Sequence, residues 1–259
     1  MKKMFLSFIV LFMMYSVNLF SQTVDQLIKE GDKFAEETYE HSKALEKYTA
    51  ADKLSPKNWE VYWRISRAHV DMAEHLPSAT DEQKKTQLAG YQEAYDWADK
   101  AVKLAPDKSI NYLRRAIANG RIALYKGVFS VIGIVNSVKN DLEKAIKLGN
   151  GGAEVQATAH YVLGRTHAKV CEKAYLVRVP LGLGWGDTDV AEEEFKKAIQ
   201  IRPNFRMFYF DLAKFYIEED EYDKAKAALA KVQGSPKQDE DDDKLLAESK
   251  DLLASIKNK

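Results

Sequence analysis

The sequence predicts an all-α fold: a tandem array of five helix pairs, curved into a right-handed solenoid and closed by a C-terminal capping helix. Composition points there first, because Ala, Leu, Lys and Glu dominate the 259 residues while Gly (13) and Pro (6) are scarce. The second observation is a short pattern that recurs along the chain. The third is a helix-stopping Pro at the end of most copies. The 39 basic and 39 acidic side chains cancel, which excludes a nucleic-acid partner held by bulk charge.

The chain begins with "MKKMFLSFIVLFMMYSVNLFS" (1–21). Lys2 and Lys3 form a positive n-region, an apolar run follows from Met4 to Phe20, and Ser21 offers a small residue for cleavage, as in a secretory signal peptide. The expected mature chain starts near Gln22 or Thr23 and is secreted or periplasmic. Leu19 is large for the −3 position, so an uncleaved anchor is the competing reading, although the run reaches only about 25 Å as a helix. The lone Cys171 rules out an internal disulfide, leaving packing alone to hold an exported chain together. Domain boundaries follow: signal peptide 1–21, repeat domain 22–236, acidic linker and capping helix 237–259.

Four stretches align without gaps: "ALEKYTAADKLSP" (44–56), "AYDWADKAVKLAP" (94–106), "VKNDLEKAIKLGN" (138–150) and "AEEEFKKAIQIRP" (191–203). A fifth, "AKAALAKVQGSP" (225–236), is one residue shorter. Small residues at fixed spacing let two helices approach closely. Each stretch needs a partner, and "LIKEGDKF" (27–34), "YWRISRAH" (62–69), "YVLGRTHA" (161–168) and "YFDLAKFY" (209–216) supply it, with Gly, Ser or Ala beside an apolar position. Together these resemble the tetratricopeptide repeat, a helix pair of about 34 residues.

The array is irregular in a particular order. The second pair carries the insertion "EHLPSATDEQKKTQLAGYQ", the third lacks a tidy turn, and the fourth contains a long connector before Ala191. This order is similar to that of the regulator of microtubule dynamics family, through Lys126, Asn136, Glu143 to Leu148, Ala191, Phe195 to Ala198 and Pro203 to Phe205. Members of that family associate with microtubules or organelle membranes. An exported chain would not meet microtubules, so the resemblance implies shared architecture more than a shared partner.

The connector "YLVRVPLGLGWGDT" (175–188) is glycine-rich, but a dinucleotide loop needs a preceding strand within a βαβ unit, and that context is missing. Asp187, Thr188 or Asp189 suits an N-cap for a helix starting near Val190. The aromatic and apolar residues of the segment either fold back onto the solenoid or protrude as a contact for a partner or a membrane surface.

No nucleophile elbow, P-loop or zinc-protease motif occurs, so neither enzyme chemistry nor a cofactor is expected. His160, His167 and Cys171 could share a helix face as metal ligands. Packing is the favoured role for them, with His69 and His167 between helices, and no metal is expected. The acidic runs "EEDEYD" (218–223) and "DEDDD" (239–243) read as solvated helix ends and a charged linker. "KLLAESKDLLASI" (244–256) reads as the cap that an array needs to cover its last apolar face.

Function is then expected in the groove lined by the first helix of each pair. An aromatic followed four residues later by a cation recurs there: Trp63/Arg67, Tyr161/Arg165 and Phe210/Lys214. The third pair contributes the apolar Leu113 and Ile117 instead. The reading is a non-catalytic scaffold or adaptor that binds a protein or peptide partner, with the cations available for a carboxylate. A solute-binding accessory subunit of an uptake system is the alternative, with Trp63, Tyr112 and Phe129 lining a pocket; microtubule or organelle association, as in the eukaryotic relatives, is another. Membrane contact would run through 175–188 or through an uncleaved leader.

Overall fold

A computed structural model describes residues 22–126 and 128–259; the leader read at 1–21 lies outside them. Every regular element among the described residues is helical. Helices α1 (Val24–Glu36) and α2 (His41–Leu54) form the first pair, α3 (Trp59–Glu74) and α4 (Asp81–Leu104) the second, α5 (Ser109–Ala123) and α6 (Val128–Leu148) the third. The fourth pair is α7 (Gly152–Cys171) and α9 (Thr188–Ile201), with the single-turn α8 (Tyr175–Arg178) between them. Helices α10 (Arg206–Glu218) and α11 (Tyr222–Gly234) make the fifth, and α12 (Asp242–Ser255) follows. Neighbours in the chain are neighbours in space throughout. The protein is a tetratricopeptide-like helical solenoid.

Local chemistry sets the boundaries. Thr23 and Thr80 each accept a hydrogen bond from the backbone three residues on, and Gln26 and Gln83 reach back to the cap, giving reciprocal capping boxes on α1 and α4. Asp187 caps α9, its carboxylate accepting from the backbone N–H groups of Asp189 and Val190. The insertion in the second pair is absorbed mainly as helix, which is why α4 runs for 24 residues.

Pairs close on small residues. Ala51, Ala101, Ala145 and Ala198 occupy equivalent places in four second helices, and all have no exposed surface. The facing small residue in α7 is Gly164, where an added Cβ would stand 3.0 Å from the Ala191 carbonyl oxygen and 3.2 Å from the Phe195 nitrogen. Backbone meets backbone there, with no flexible side chain to move aside. The core consequently forms successive patches, from Leu27, Tyr48 and Ile65 through Leu113, Leu142 and Leu163 to Phe195, Phe208 and Leu229. Leu245 and Ile256 of the C-terminal segment cover the last patch.

The acidic linker is the main correction to the sequence reading. Asp242 is buried, its carboxylate accepts from the N–H groups of Gln238 and Asp239, and the Arg206 guanidinium donates to the carbonyls of Ser235 and Asp242. Glu240 crosses to the first pair, 199 residues away in sequence, where one carboxylate oxygen lies 2.9 Å from His41 Nε2. This run is a folded strap. No helix among the described residues is long and apolar enough to cross a membrane.

These contacts reverse an ordinary substitution rule. In an open helix, Gly→Ala stabilises by up to about 1 kcal/mol. Gly120, whose added Cβ meets nothing within 4 Å, should follow the rule. Gly164→Ala should instead lose stability, because overpacking costs roughly 1–3 kcal/mol and outweighs the helix gain. Urea midpoints of the two variants are expected to move in opposite directions.

Candidate partner-binding groove

The first helices stand side by side: α3 touches α5, α5 touches α7, and α7 touches α10. Between α1, α3, α5 and α7 lies a cleft of about 310 Å³. Trp63, Leu113 and Val155 give it an apolar floor, and Glu36, Arg64, Arg67, Arg114 and Glu154 surround that floor with charge. Three guanidiniums sit over Trp63, those of Arg64, Arg67 and Arg114, at 4.2, 5.3 and 5.8 Å from the ring centroid.

Two of the three form ion pairs within the protein, although the Arg67 Nε is itself buried without a partner. Arg64 makes a fork to Asp32, with Nε 2.8 Å from Oδ1 and Nη2 2.9 Å from Oδ2. Arg67 donates to Glu36 at 2.6 Å, to Asp32 at 3.2 Å and to the Tyr48 hydroxyl at 2.9 Å. The Tyr48 hydroxyl in turn donates to Asp32 at 2.7 Å. Burial pushes the Tyr48 phenol far above its usual range, with only partial relief from the Arg67 charge.

Arg114 differs. It has no hydrogen-bonded or ion-paired partner among the described residues, and its Nε is sealed from water without one. Burial, then the like charge of Arg67, holds its pKa below the ordinary guanidinium value. One turn beyond Arg67 on α3, burial raises the Asp71 carboxyl, and Arg114 and Arg67 pull it back. Glu74, the next acid on that face, is also raised by burial and bonds Arg121 at 2.5 Å. The inner face is therefore a line of charges with one guanidinium left over.

The six groove residues expected from the sequence separate into two places. Trp63 and Arg67 line the cleft. Tyr161 and Phe210 are buried in the last core patch. Arg165 and Lys214 both turn to Asp211, Arg165 at 3.0 Å and Lys214 at 3.8 Å, and the Tyr161 hydroxyl donates to the same carboxylate at 2.6 Å. Each cation does lie over its own aromatic partner, at 5.3 to 5.6 Å. The four-residue spacing gave this stacking; it could not show that Asp32, Glu36 and Asp211 already neutralise the row. In the third pair the groove cation is Arg114, one residue beyond the expected Leu113. Tyr112 is half-buried beside Arg115, and the side chain of Phe129 lies outside the described residues.

The histidines are distributed differently from the metal-site alternative weighed in the sequence. His160 pairs with Glu194 at 2.5 Å, and buried His167 meets Trp185 edge to face at 5.0 Å, so neither converges on Cys171. In the connector, Trp185 folds back and donates to Asn136 at 2.7 Å, while Leu176 stands 86% exposed beside exposed Tyr175 and Val177. One half of that segment is anchored and the other protrudes.

The family profile described as "Regulator of microtubule dynamics protein 1-3" matches residues 21–257. The chain belongs to that family. Its relatives include regulator of microtubule dynamics protein 1 of Mus musculus, 28% identical over 203 residues that span 76% of this chain and 64% of the relative. The Bos taurus protein of the same name is 25% identical over 244 residues, covering 91% and 73%. The chain thus spans just under two thirds of the mouse relative's length. Among solved structures, a thermophilic tetratricopeptide-repeat protein of Thermus thermophilus superposes with a TM-score of 0.67 at 17% identity, over 90% of this chain and 100% of that one. The pilF protein of Pseudomonas aeruginosa gives 0.52 at 14% identity, over 90% and 88%. These two are likenesses of fold.

The contrast between engaged and exposed cations has a measurable consequence. Arg67→Met removes the bonds to Glu36, Asp32 and the Tyr48 hydroxyl, while Asp32 keeps Arg64, and should lower stability by about 1–3 kcal/mol. Lys214→Met removes a half-exposed charge from a loose pair and should stay within about 0.5 kcal/mol of the parent. Chemical denaturation of the two variants tests the distinction.

Proposed function

We propose that this family member is a non-catalytic scaffold that receives an extended protein segment in the cleft between α1, α3, α5 and α7, and that Arg114 holds an acidic side chain or a chain-end carboxylate of that segment. The observation that carries the reading is the unpartnered Arg114 guanidinium beside Trp63. Asp71, Glu154 and Glu36 act on Arg114 only through space, so a sheltered guanidinium is left without a bonded acceptor, and a ligand carboxylate would supply one. Trp63 adds an aromatic face for an adjacent apolar side chain. About 310 Å³ suits two or three side chains of a peptide better than a folded surface.

The test uses an array of peptides with free or amidated C-termini and internal Asp or Glu, followed by fluorescence polarisation with the peptides retained. Arg114→Gln should weaken binding at least tenfold, because a sheltered charge-assisted bond contributes roughly 1.5–3 kcal/mol. The same change should leave stability equal or higher, since it removes an unpaired charge. Equal binding by parent and variant would rule the reading out. Arg67 and Arg165 are poorer choices for this test, because their loss disturbs the internal pairs.

The proposed setting is outside the cytoplasm, supported by the Lys2/Lys3 apolar leader in 1–21. N-terminal sequencing of the protein from its own host should find a chain beginning near Gln22 or Thr23 in an envelope or secreted fraction; intact Met1 in the cytosol would overturn the export reading. The exposed Leu176 and Val177 support a second contact, with a partner or a membrane surface, through the protruding half of the 175–188 connector.

A further inference from the structure

The strap and the first two pairs meet at a place the groove reading does not use. His41 at the start of α2, His75 just beyond the end of α3 and Glu240 in the strap converge, with one ligand-type atom of each within 4.8 Å of the others. His41 Nε2 lies 2.9 and 3.0 Å from the two Glu240 carboxylate oxygens, and His75 Nε2 lies 3.7 Å from one of them. The two rings stack at 5.5 Å with 21° between their planes, so both present the same edge to the carboxylate.

Proton bookkeeping shows what this arrangement lacks. His75 Nδ1 is 2.7 Å from the Asp71 backbone carbonyl, which can only accept, so the proton of a neutral ring sits on Nδ1. Its Nε2 then points a bare lone pair toward a negative carboxylate. His41 Nδ1 is sealed from water without a hydrogen-bond partner, and it faces the Asp71 carboxylate at 3.8 Å. If neutral His41 donates through Nε2 to Glu240, its Nδ1 lone pair confronts Asp71; if the proton moves to Nδ1, Nε2 confronts Glu240. With the His41 proton on Nδ1, two imidazole lone pairs and a carboxylate converge on one point, His75 Nδ1 being bonded to the Asp71 carbonyl and His41 Nδ1 facing the Asp71 carboxylate at 3.8 Å. A hydrogen bond from the outer nitrogen is what orients a metal-bound imidazole, and His75 already makes it.

We propose that His41 Nε2, His75 Nε2 and Glu240 bind one divalent cation of the zinc class, which fastens the C-terminal strap to the first two helix pairs. Two imidazoles and one carboxylate suit zinc or a similar borderline metal, whereas calcium and magnesium prefer sets made of oxygen alone. Three protein ligands leave a fourth position, and His75, whose side chain is 45% exposed, opens it to solvent. Ligands bonded at about 2.0–2.2 Å to a tetrahedral metal stand roughly 3.3 Å apart, so the present spacing requires only small side-chain shifts. Asp71 lies one turn from Arg67, which places the clasp directly beside the cleft.

The experiment uses the full mature chain without a histidine tag, stripped with a chelator and titrated with zinc chloride by calorimetry; cobalt(II) supplies a visible absorption band as a second readout. Expected are one ion per chain and tetrahedral cobalt absorption. His75→Ala and Glu240→Gln should each weaken zinc binding at least tenfold with an unchanged helical spectrum. Cys171→Ser and His160→Ala should leave the isotherm unaltered, as should excess calcium. The proposal is overturned by absence of saturable zinc binding, by binding that survives both ligand variants, or by competition from calcium. It is also overturned if the strap is held equally well without metal once the histidines are protonated, which amide exchange of residues 237–243 in chelator at pH 5.5 and in zinc at pH 7.5 would reveal.

Discussion

Close approach between paired helices is the constraint from which the rest of this structure follows. Each pair closes only where both partners present small residues, and Gly164 against the α9 backbone shows how little room remains. Because the helix pairs pack on adjacent pairs, with only the C-terminal strap returning to the first two, the array extends in one dimension. The inner edges of α1, α3, α5 and α7 are then free to carry charge, since the packing does not need them.

The inner charges are satisfied mostly between layers. Asp32 on α1 serves Arg64 and Arg67 on α3, Glu74 on α3 serves Arg121 on α5, and Asp211 on α10 serves Arg165 on α7. Such pairs add modest stability for each charge buried. They also tie the angle between layers to particular residues. A purely apolar seam would let that angle vary, and with it the width of the cleft.

This division explains what could be read in the sequence. Ala51, Ala101, Ala145 and Ala198 recur at a fixed place because every layer meets the same packing demand, so the solenoid and its helix pairs were legible. So was the stacking of Arg67 on Trp63, which depends only on helical spacing. Charge partners were not legible: Arg67 finds Asp32 and Glu36 from 35 and 31 residues away, and no periodic rule specifies which acid will face it. The acidic strap is the extreme case. Its composition resembles that of a solvated linker, and only the three-dimensional return of the chain places Glu240 beside His41 and buries Asp242. Arg114 was passed over for its neighbour Leu113 because a one-residue change of helical phase in the third pair, whose turn is untidy, exchanges a core position for a groove position.

Arg67 and Arg114 line the same cleft and share the same tryptophan, yet they have opposite status. A guanidinium with three internal acceptors contributes to the frame, and a ligand that recruited it would have to displace Asp32, Glu36 or Tyr48 first. A guanidinium with none keeps its outer donors free for the ligand proposed above, whose binding would relieve its unfavourable state in the cleft. Cation identity, exposure and proximity to an aromatic are therefore insufficient to identify a contact residue on this face. What separates the two arginines is whether the protein has already supplied a bonded carboxylate, and by that criterion Arg114 is the one proposed as the contact residue.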